Sequence, residues 1–207
     1  MSQRGTFIVL EGGEGSGKDT QIALLKESLG EEKAIFTREP GGTVIGEQLR
    51  SLLMSKESTG MFVEAEILLF LAARAQLLNE VIIPALESGK NVISNRFGLS
   101  TIAYQIYGRV RLDYLDFLTR LSKAIVGTYE PDLYVFLDVT PEVGLKRIGE
   151  RKDEMTRFDE EKLEFHKRLR NGYKKHIEDT ASYICIDADK SIEEIQKEIS
   201  KKVTEVL

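Results

Sequence analysis

The sequence predicts an α/β fold, a five-stranded parallel sheet with helices on both faces. Two observations carry the prediction. Five short apolar runs alternate along the chain with longer segments of helical spacing, and strands connected through helices run parallel with both sheet faces covered. The first run also passes through a glycine-rich loop directly into a helix, the opening of many such sheets. At 207 residues the chain has the length of one domain able to bury a full core.

The first strand is residues 7–10. The next six residues of interest, 12–17, carry four glycines, Gly12, Gly13, Gly15 and Gly17, with Glu14 and Ser16 between them. Lys18 follows, and residues 19–29 have helical spacing, with Ile22, Leu25 and Leu29 on one face. Strand, glycine loop, lysine and helix make a phosphate-binding P-loop over 12–19. Glycines let backbone N–H groups turn inward around phosphates, and the helix N-terminus and the Lys18 ammonium add positive potential. The fold is thus of the P-loop NTPase type. The pattern G-x-x-x-x-G-K calls for Ser or Thr next, and here Asp19 stands there, with Thr20 after it.

Residues 33–37 form the second strand, which runs into Arg38-Glu39-Pro40-Gly41-Gly42-Thr43. This is a tight turn in which Thr43 caps the helix 44–54. An arginine and a glutamate held on such a turn also suit ligand contact, and the two readings are compatible. Residues 64–86 are the longest helical pattern, apolar around much of the circumference, so the core on one side and a partner on another can both cover it. Pro84 marks its last turns. Phe70 and Arg74 are four apart and share a face.

The third strand, 90–94, ends in Asn95-Arg96-Phe97, and the carboxyl ends of such strands line the ligand crevice. Residues 100–107 form a helix bearing Tyr104 and Gln105, and 112–126 an amphipathic helix. The fourth strand, 133–137, ends at Asp138. Helix 142–149 continues into the charged stretch 150–159, and 160–178 is helical. The fifth strand is 183–186 and the closing helix 191–206. No internal repeat or linker interrupts the chain, which gives one domain over 1–207.

Charged residues are 30% and hydrophobic ones 42%, an ordinary globular balance. The formal net charge of −5 argues against a nucleic-acid polymer as partner. No apolar run approaches the ~20 residues of a membrane span, and residues 1–5 lack the apolar core of a signal peptide. A soluble cytoplasmic protein is the expectation. The single cysteine, Cys185, lies in the apolar run 183–186 and reads as a buried strand residue. His166 and His176 have no second ligand at metal spacing and read as surface residues. The basic helix around 162–175 is diluted by Glu161, Glu164 and Glu178 and reads as a solvated face.

The runs TREPGGT at 37–43, LLFLAARAQ at 68–76, NRFGLSTIAYQ at 95–105, PDLYVFLDVTPEVGLKR at 131–147 and FHKRLRNGY at 165–173, with the P-loop, resemble the thymidylate kinase family over nearly the whole chain. The resemblance implies transfer of the ATP γ-phosphate to dTMP with Mg²⁺, by a homodimer. It implies ATP contacts from Gly12, Gly13, Glu14, Gly15, Ser16, Gly17, Lys18, Asp19 and Thr20. Phe70 would stack on thymine, Arg74 would donate to its O4, and Ser100 and Gln105 would bond polar edges of the base or its surroundings. Tyr104 would crowd the sugar 2′ position, and Glu14 would reach the 3′-OH or a water near the acceptor. Arg38 and Arg96 would hold the monophosphate with planar guanidinium forks.

In one branch of the family a basic residue sits inside the P-loop, and Glu14-Gly15-Ser16 offers none. The other branch takes an arginine from a mobile lid, which places the lid at 150–159. Arg151 is the first choice and Arg157 the second, with Arg147 nearer the adenine or the donor phosphates. Three residues depart from the family pattern: Asp19 for a hydroxyl residue, Asn95 for an aspartate, and Thr156 for an aspartate before the lid arginine. Asp19 and Asn95 are expected to face the same Mg²⁺, the carboxylate moved from one position to the other, with Asn95 acting through water. A related pyrimidine deoxynucleotide kinase, or a nucleotide-binding relative with impaired transfer, are the alternatives these departures leave.

Overall fold

The computed structural model describes residues 4–150 and 155–207. Five strands, β1 (Phe7–Gly12), β2 (Ala34–Arg38), β3 (Asn91–Asn95), β4 (Leu133–Asp138) and β5 (Tyr183–Asp187), form one parallel sheet in the order β2-β3-β1-β4-β5. β1 is central and buried along its whole length, with Leu10 in register with Asn95 on one side and Val135 on the other. The chain fills one side of β1 with β3 and β2, then crosses to β4 and β5. β1 therefore sits at the topological switch point, where such sheets open a crevice at their carboxyl ends.

Alternation along β1 divides the core. Ile8 and Leu10 face helices α1 (Lys18–Leu29) and α9 (Ile192–Val206), packing with Leu25, Ile195, Ile199 and Val203. Phe7 and Val9 face the other layer, with Leu77, Leu78, Ile82, Leu86, Leu169 and Tyr173. Period-two burial from a strand covered on both sides is the physical content of the two-faced prediction.

The remaining helices follow the expected spans closely. α2 (Val44–Met54) is capped by Thr43, whose hydroxyl accepts from Gly46 N at 2.9 Å. The long apolar helix is α3 (Val63–Leu77), a π-helical turn over Leu78–Ile82, and α4 (Ile83–Glu87). α5 (Gly98–Thr101) likewise continues as a π-helical segment over Ile102–Gly108. α6 (Leu115–Val126) is preceded by a 3-10 turn, Leu112–Tyr114, and α7 (Pro141–Gly149) and α8 (Leu163–Ile177) complete the set. α8 starts later than the sequence suggests because 156–161 turn to seat Arg157 and Phe158 in the interior.

Some expectations are corrected. Cys185 is exposed, because β5 is an edge strand with an open face. His166 is buried rather than superficial, lying on the inward side of α8, and burial lowers its pKa. His176 contacts Tyr107 Oη at 3.1 Å and Asp179 at 3.2 Å. The continuous helix Val63–Glu87 is long and apolar enough, by length and composition alone, to cross a membrane. Counting uninterrupted apolar runs missed it, because charges break the run without making the helix polar. Here one side of it, with Ile67, Leu71, Leu77, Leu78, Ile82 and Leu86, is buried in the core, and its Glu66 and Arg74 are buried in ion pairs.

Candidate active site

The P-loop leaves β1 and enters α1 as the sequence predicts. Gly15 has φ +70°, and a Cβ there would lie 2.2 Å from the Gly144 carbonyl oxygen of α7, so only glycine lets the loop approach this helix. The Lys18 ammonium donates to Gly12 O (2.9 Å), Gly13 O (2.8 Å) and Ser16 Oγ (3.0 Å), which lays the charge across the loop. Burial, helped by the neighbouring Arg96 guanidinium, pushes its pKa down to about 7.

Beside the loop lies a cavity of about 350 Å³ at the carboxyl ends of the strands. Lys18, Arg38, Arg50 and Arg96 line it, together with Phe70, Arg74, Thr101, Tyr104, Gln105 and Phe158. A cationic wall and an aromatic, amide-bearing wall in one cavity suit a ligand with a phosphate and a planar polar ring. Arg38, half exposed, pairs with Glu47 at 3.0 Å. Arg50 reaches the Pro40 carbonyl at 3.0 Å, and burial with the adjacent Arg38 lowers its pKa.

Arg96 follows β3 in a left-handed conformation, φ 72°. Its Nη2 donates to Glu14 at 2.8 Å, and Nη1 to Gly12 O (3.0 Å), Tyr173 Oη (3.1 Å) and Ser100 Oγ (3.2 Å). Its guanidinium also lies over the Tyr104 ring, 4.9 Å from the centroid, and the Tyr104 hydroxyl donates to Glu14 at 2.7 Å. Arg74 is 1% exposed. It grips Glu39 with Nε (2.9 Å) and Nη2 (2.7 Å) and gives a further bond to Thr101 Oγ1 at 2.8 Å. Its Nη1 has no partner among the described residues. Gln105 donates to Glu66 at 3.2 Å, and its Oε1 is likewise buried without a partner.

A second cavity, about 380 Å³, lies on the other side of the loop, lined by Gly15, Gly17, Thr20, Arg147, Lys190 and Ile192 among others. Arg147 is tied there by bonds to Ala188 O (2.8 Å) and Gly15 O (3.3 Å). Asp19 and Asn95 meet directly: Asn95 Nδ2 donates to Asp19 Oδ1 at 2.6 Å, while Asn95 Oδ1 is buried with no partner among the described residues.

The family model described as thymidylate kinase matches residues 10–199. The chain belongs to the thymidylate kinase family. It is 46% identical over 204 residues to a thymidylate kinase of Halothermothrix orenii, covering 97% of each chain. It is 41% identical over 200 residues to one of Clostridium novyi, covering 95% of this chain and 97% of that one. The crystal structure of a thymidylate kinase from Ehrlichia chaffeensis superposes with a TM-score of 0.77 at 31% identity, covering 97% and 99% of the two chains.

Against that family pattern, the structure brings Glu14, Lys18, Asp19, Arg38, Phe70, Arg74, Asn95, Arg96, Ser100, Tyr104 and Gln105 to one cavity. Two expectations change. The Ser100 hydroxyl is held by the buried Glu11 at 2.6 Å and so supports Arg96 instead of standing free for a base. Arg157, the second choice for a lid cation, is buried: it bonds Glu66 at 2.6 Å and Leu53 O at 2.6 Å and stacks over Phe158. Arg151 lies outside the described residues. Sequence reasoning passed over Glu11, Arg50, Thr101 and Tyr173. Thr101 and Tyr173 stand within matched runs, where a hydroxyl was visible but no partner was. Arg50 offered no signal on an otherwise ordinary helix.

Proposed function

We propose that this thymidylate kinase family member transfers the γ-phosphoryl group of ATP to dTMP, giving dTDP and ADP. The observation that carries the reading is the single cavity in which Lys18 and three arginines share walls with Phe70, Arg74 and Gln105. The unpartnered Arg74 Nη1 is a donor and the unpartnered Gln105 Oε1 an acceptor, which matches the O4 and N3–H of a pyrimidine. Phe70 stacks on the ring, and Tyr104, its hydroxyl fixed on Glu14, leaves little room for a 2′-OH. Arg38 and Arg96 hold the monophosphate, with Arg50 beside them. Glu14 meets the sugar 3′-OH or a water at the acceptor.

An oxygen of the dTMP phosphate attacks the γ-phosphorus in line, and the bond to the ADP oxygen breaks. Such transfer needs positioning and charge neutralisation more than a strong base. Backbone N–H groups of 12–18 and the Lys18 ammonium cradle the donor phosphates, with Ser16 and Thr20 at the loop and Arg147 on the adenine side. Arg151, from a lid at about 150–159, is the cation proposed to follow the moving group. The domain is the whole span 1–207.

Mg²⁺ suits the residues present. No group of three or more His, Cys, Asp or Glu that could hold a metal occurs among the described residues, and Mg²⁺ on a nucleotide takes one or two carboxylates, phosphate oxygens and water. Asp19, in contact with Asn95, would hold it, with Asn95 bonding a water of its shell. Bound there, Mg²⁺ would neutralise charge on the donor phosphates.

We further propose a homodimeric, cytoplasmic enzyme whose partners are small nucleotides, with neither a nucleic-acid polymer nor a membrane among them. The experiment is ADP release from ATP and Mg²⁺ with dTMP, dUMP, dCMP and dGMP offered separately. Turnover fastest with dTMP and weaker with dUMP supports the reading. Equal turnover with dUMP makes it a broader pyrimidine deoxynucleotide kinase. Silence with all four, in protein that binds dTMP, shows impaired transfer.

A further inference from the structure

We propose that Glu11 and Tyr173 are positioning residues that set the hydroxyl hydrogens around Arg96 and so make its guanidinium a fixed anchor for the acceptor phosphate. The inference rests on the reading that Arg96 holds that phosphate. Glu11 is the last residue of β1 before the P-loop glycines and is fully buried. Its Oε1 accepts from Phe97 N (2.8 Å) and Ser100 N (3.2 Å), and its Oε2 from Ser100 Oγ (2.6 Å) and Tyr173 Oη (3.2 Å). Two backbone donors and two hydroxyls converge on one carboxyl group; burial raises its pKa, the Ser100 hydroxyl, the Arg96 charge and the two backbone bonds oppose that shift, and as the acceptor-only carboxylate it takes all four.

The hydroxyl orientations follow. Ser100 Oγ and Tyr173 Oη lie 2.7 Å apart. Tyr173 can donate to Ser100, which donates to Glu11; Ser100 can donate to Tyr173, which donates to Glu11; or both can donate to Glu11 directly. In each arrangement the two hydrogens are taken up within the Glu11–Ser100–Tyr173 group and neither is turned toward Arg96. Lone pairs on both oxygens then face Arg96 Nη1, which lies 3.2 Å from Ser100 and 3.1 Å from Tyr173. The two backbone bonds do a second job. They pin the start of α5 immediately after Arg96, whose left-handed backbone, φ 72°, is held by Arg96 N donating to Leu10 O at 2.9 Å. A buried acceptor that orients the groups contacting the ligand is the logic of outer-shell partners at metal sites, applied here to a phosphate-binding guanidinium.

Glu11→Gln tests this sharply. An amide replaces one acceptor oxygen with a donor, so a hydroxyl hydrogen must turn back toward Arg96. Tyr173→Phe removes one hydroxyl and keeps the ring stacked on Phe136, 5.2 Å between centroids. Calorimetric dissociation constants for dTMP and for thymidine separate the phosphate contact from the base and sugar contacts. The expected result is that each variant loses about tenfold of the wild-type preference for dTMP over thymidine. Thymidine affinity should be unchanged, kcat should fall and KM for ATP should hold. The double variant should lose no more than the worse single one.

Equal weakening of both ligands would mean a general packing role and overturn the proposal, as would a fully retained dTMP preference in both variants. Tyr173→Phe keeps the test available if Glu11→Gln fails to fold. If the wild-type protein itself shows no preference for dTMP over thymidine, the acceptor-site reading falls, and this inference falls with it. Retained preference in the variants alone removes only the inference.

Discussion

Lys18 sits among acceptors but is buried and close to Arg96, and burial together with that guanidinium brings its pKa down to about 7 against 10.5 for a free lysine. Between these values the unfolded chain binds more protons than the folded one, so this group makes stability rise as pH climbs from about 7 to about 10. ATP phosphates bring negative charge and raise the pKa again. Binding of ATP at pH 8 should therefore take up close to one proton, read by calorimetry in buffers of different ionisation enthalpy; zero uptake would place the charge on Lys18 before binding. Asp19 makes a separate prediction. Its carboxylate touches Asn95 at 2.6 Å, so Asp19→Ser should raise the Mg²⁺ concentration needed for tight binding of a non-hydrolysable ATP analogue by roughly tenfold. Asn95→Asp alone should bring no gain, since it sets two carboxylates together. An unchanged Mg²⁺ requirement in Asp19→Ser would remove Asp19 from the metal site.

At the scale of elements, α3 shows how an apolar helix carries charge into an interior. Arg74 meets Glu39 from the turn after β2. Glu66 accepts from Arg157, Arg109 and Gln105 and so joins the turn before α8 to the base-side wall of the cavity. Removing one partner of such a pair leaves the other buried and uncompensated. Arg157→Ala should thus cost about 3–5 kcal/mol in urea unfolding, with a smaller effect on kcat of the folded protein than Arg151→Ala. Preserved stability with lost kcat would return Arg157 to the chemistry of the lid. The site's elements were legible in the sequence because they are local patterns: a glycine loop between a strand and a helix, a Thr43 cap, the spacing of Phe70 and Arg74. The burial of Arg157 was not legible, because a charge-rich run has the same composition whether it faces water or a buried glutamate.

For the whole molecule, several large apolar side chains lie exposed on α2 and at α3, which pack on one another: Val44, Ile45 and Leu52 on the first, Leu68 (51%) on the second, and Phe62 (81%) just before it. A second copy covering them is the basis for the proposed dimer. Sedimentation equilibrium should give twice the mass of one chain, and Leu68→Glu should shift it toward one chain by burying a charge. A wild-type monomer would leave this surface for another use.

The sequence alone determined the parallel α/β sheet and the P-loop, because periodicity and motif spacing are properties of neighbouring residues, and its resemblance to the family named many of the residues that line the cavity, though not Arg50, Met54, Thr101 or Phe158. Tertiary structure alone decided what those residues hold. Glu11 meets Tyr173 across 162 positions and Arg157 meets Glu66 across 91. A buried charge must find a partner wherever the fold brings one, and no local pattern records a partner at such separations. For the same reason β5 could be counted from its apolar run while the exposure of Cys185 could not: being at the edge is a property of the sheet order, and the strand's own residues do not carry it.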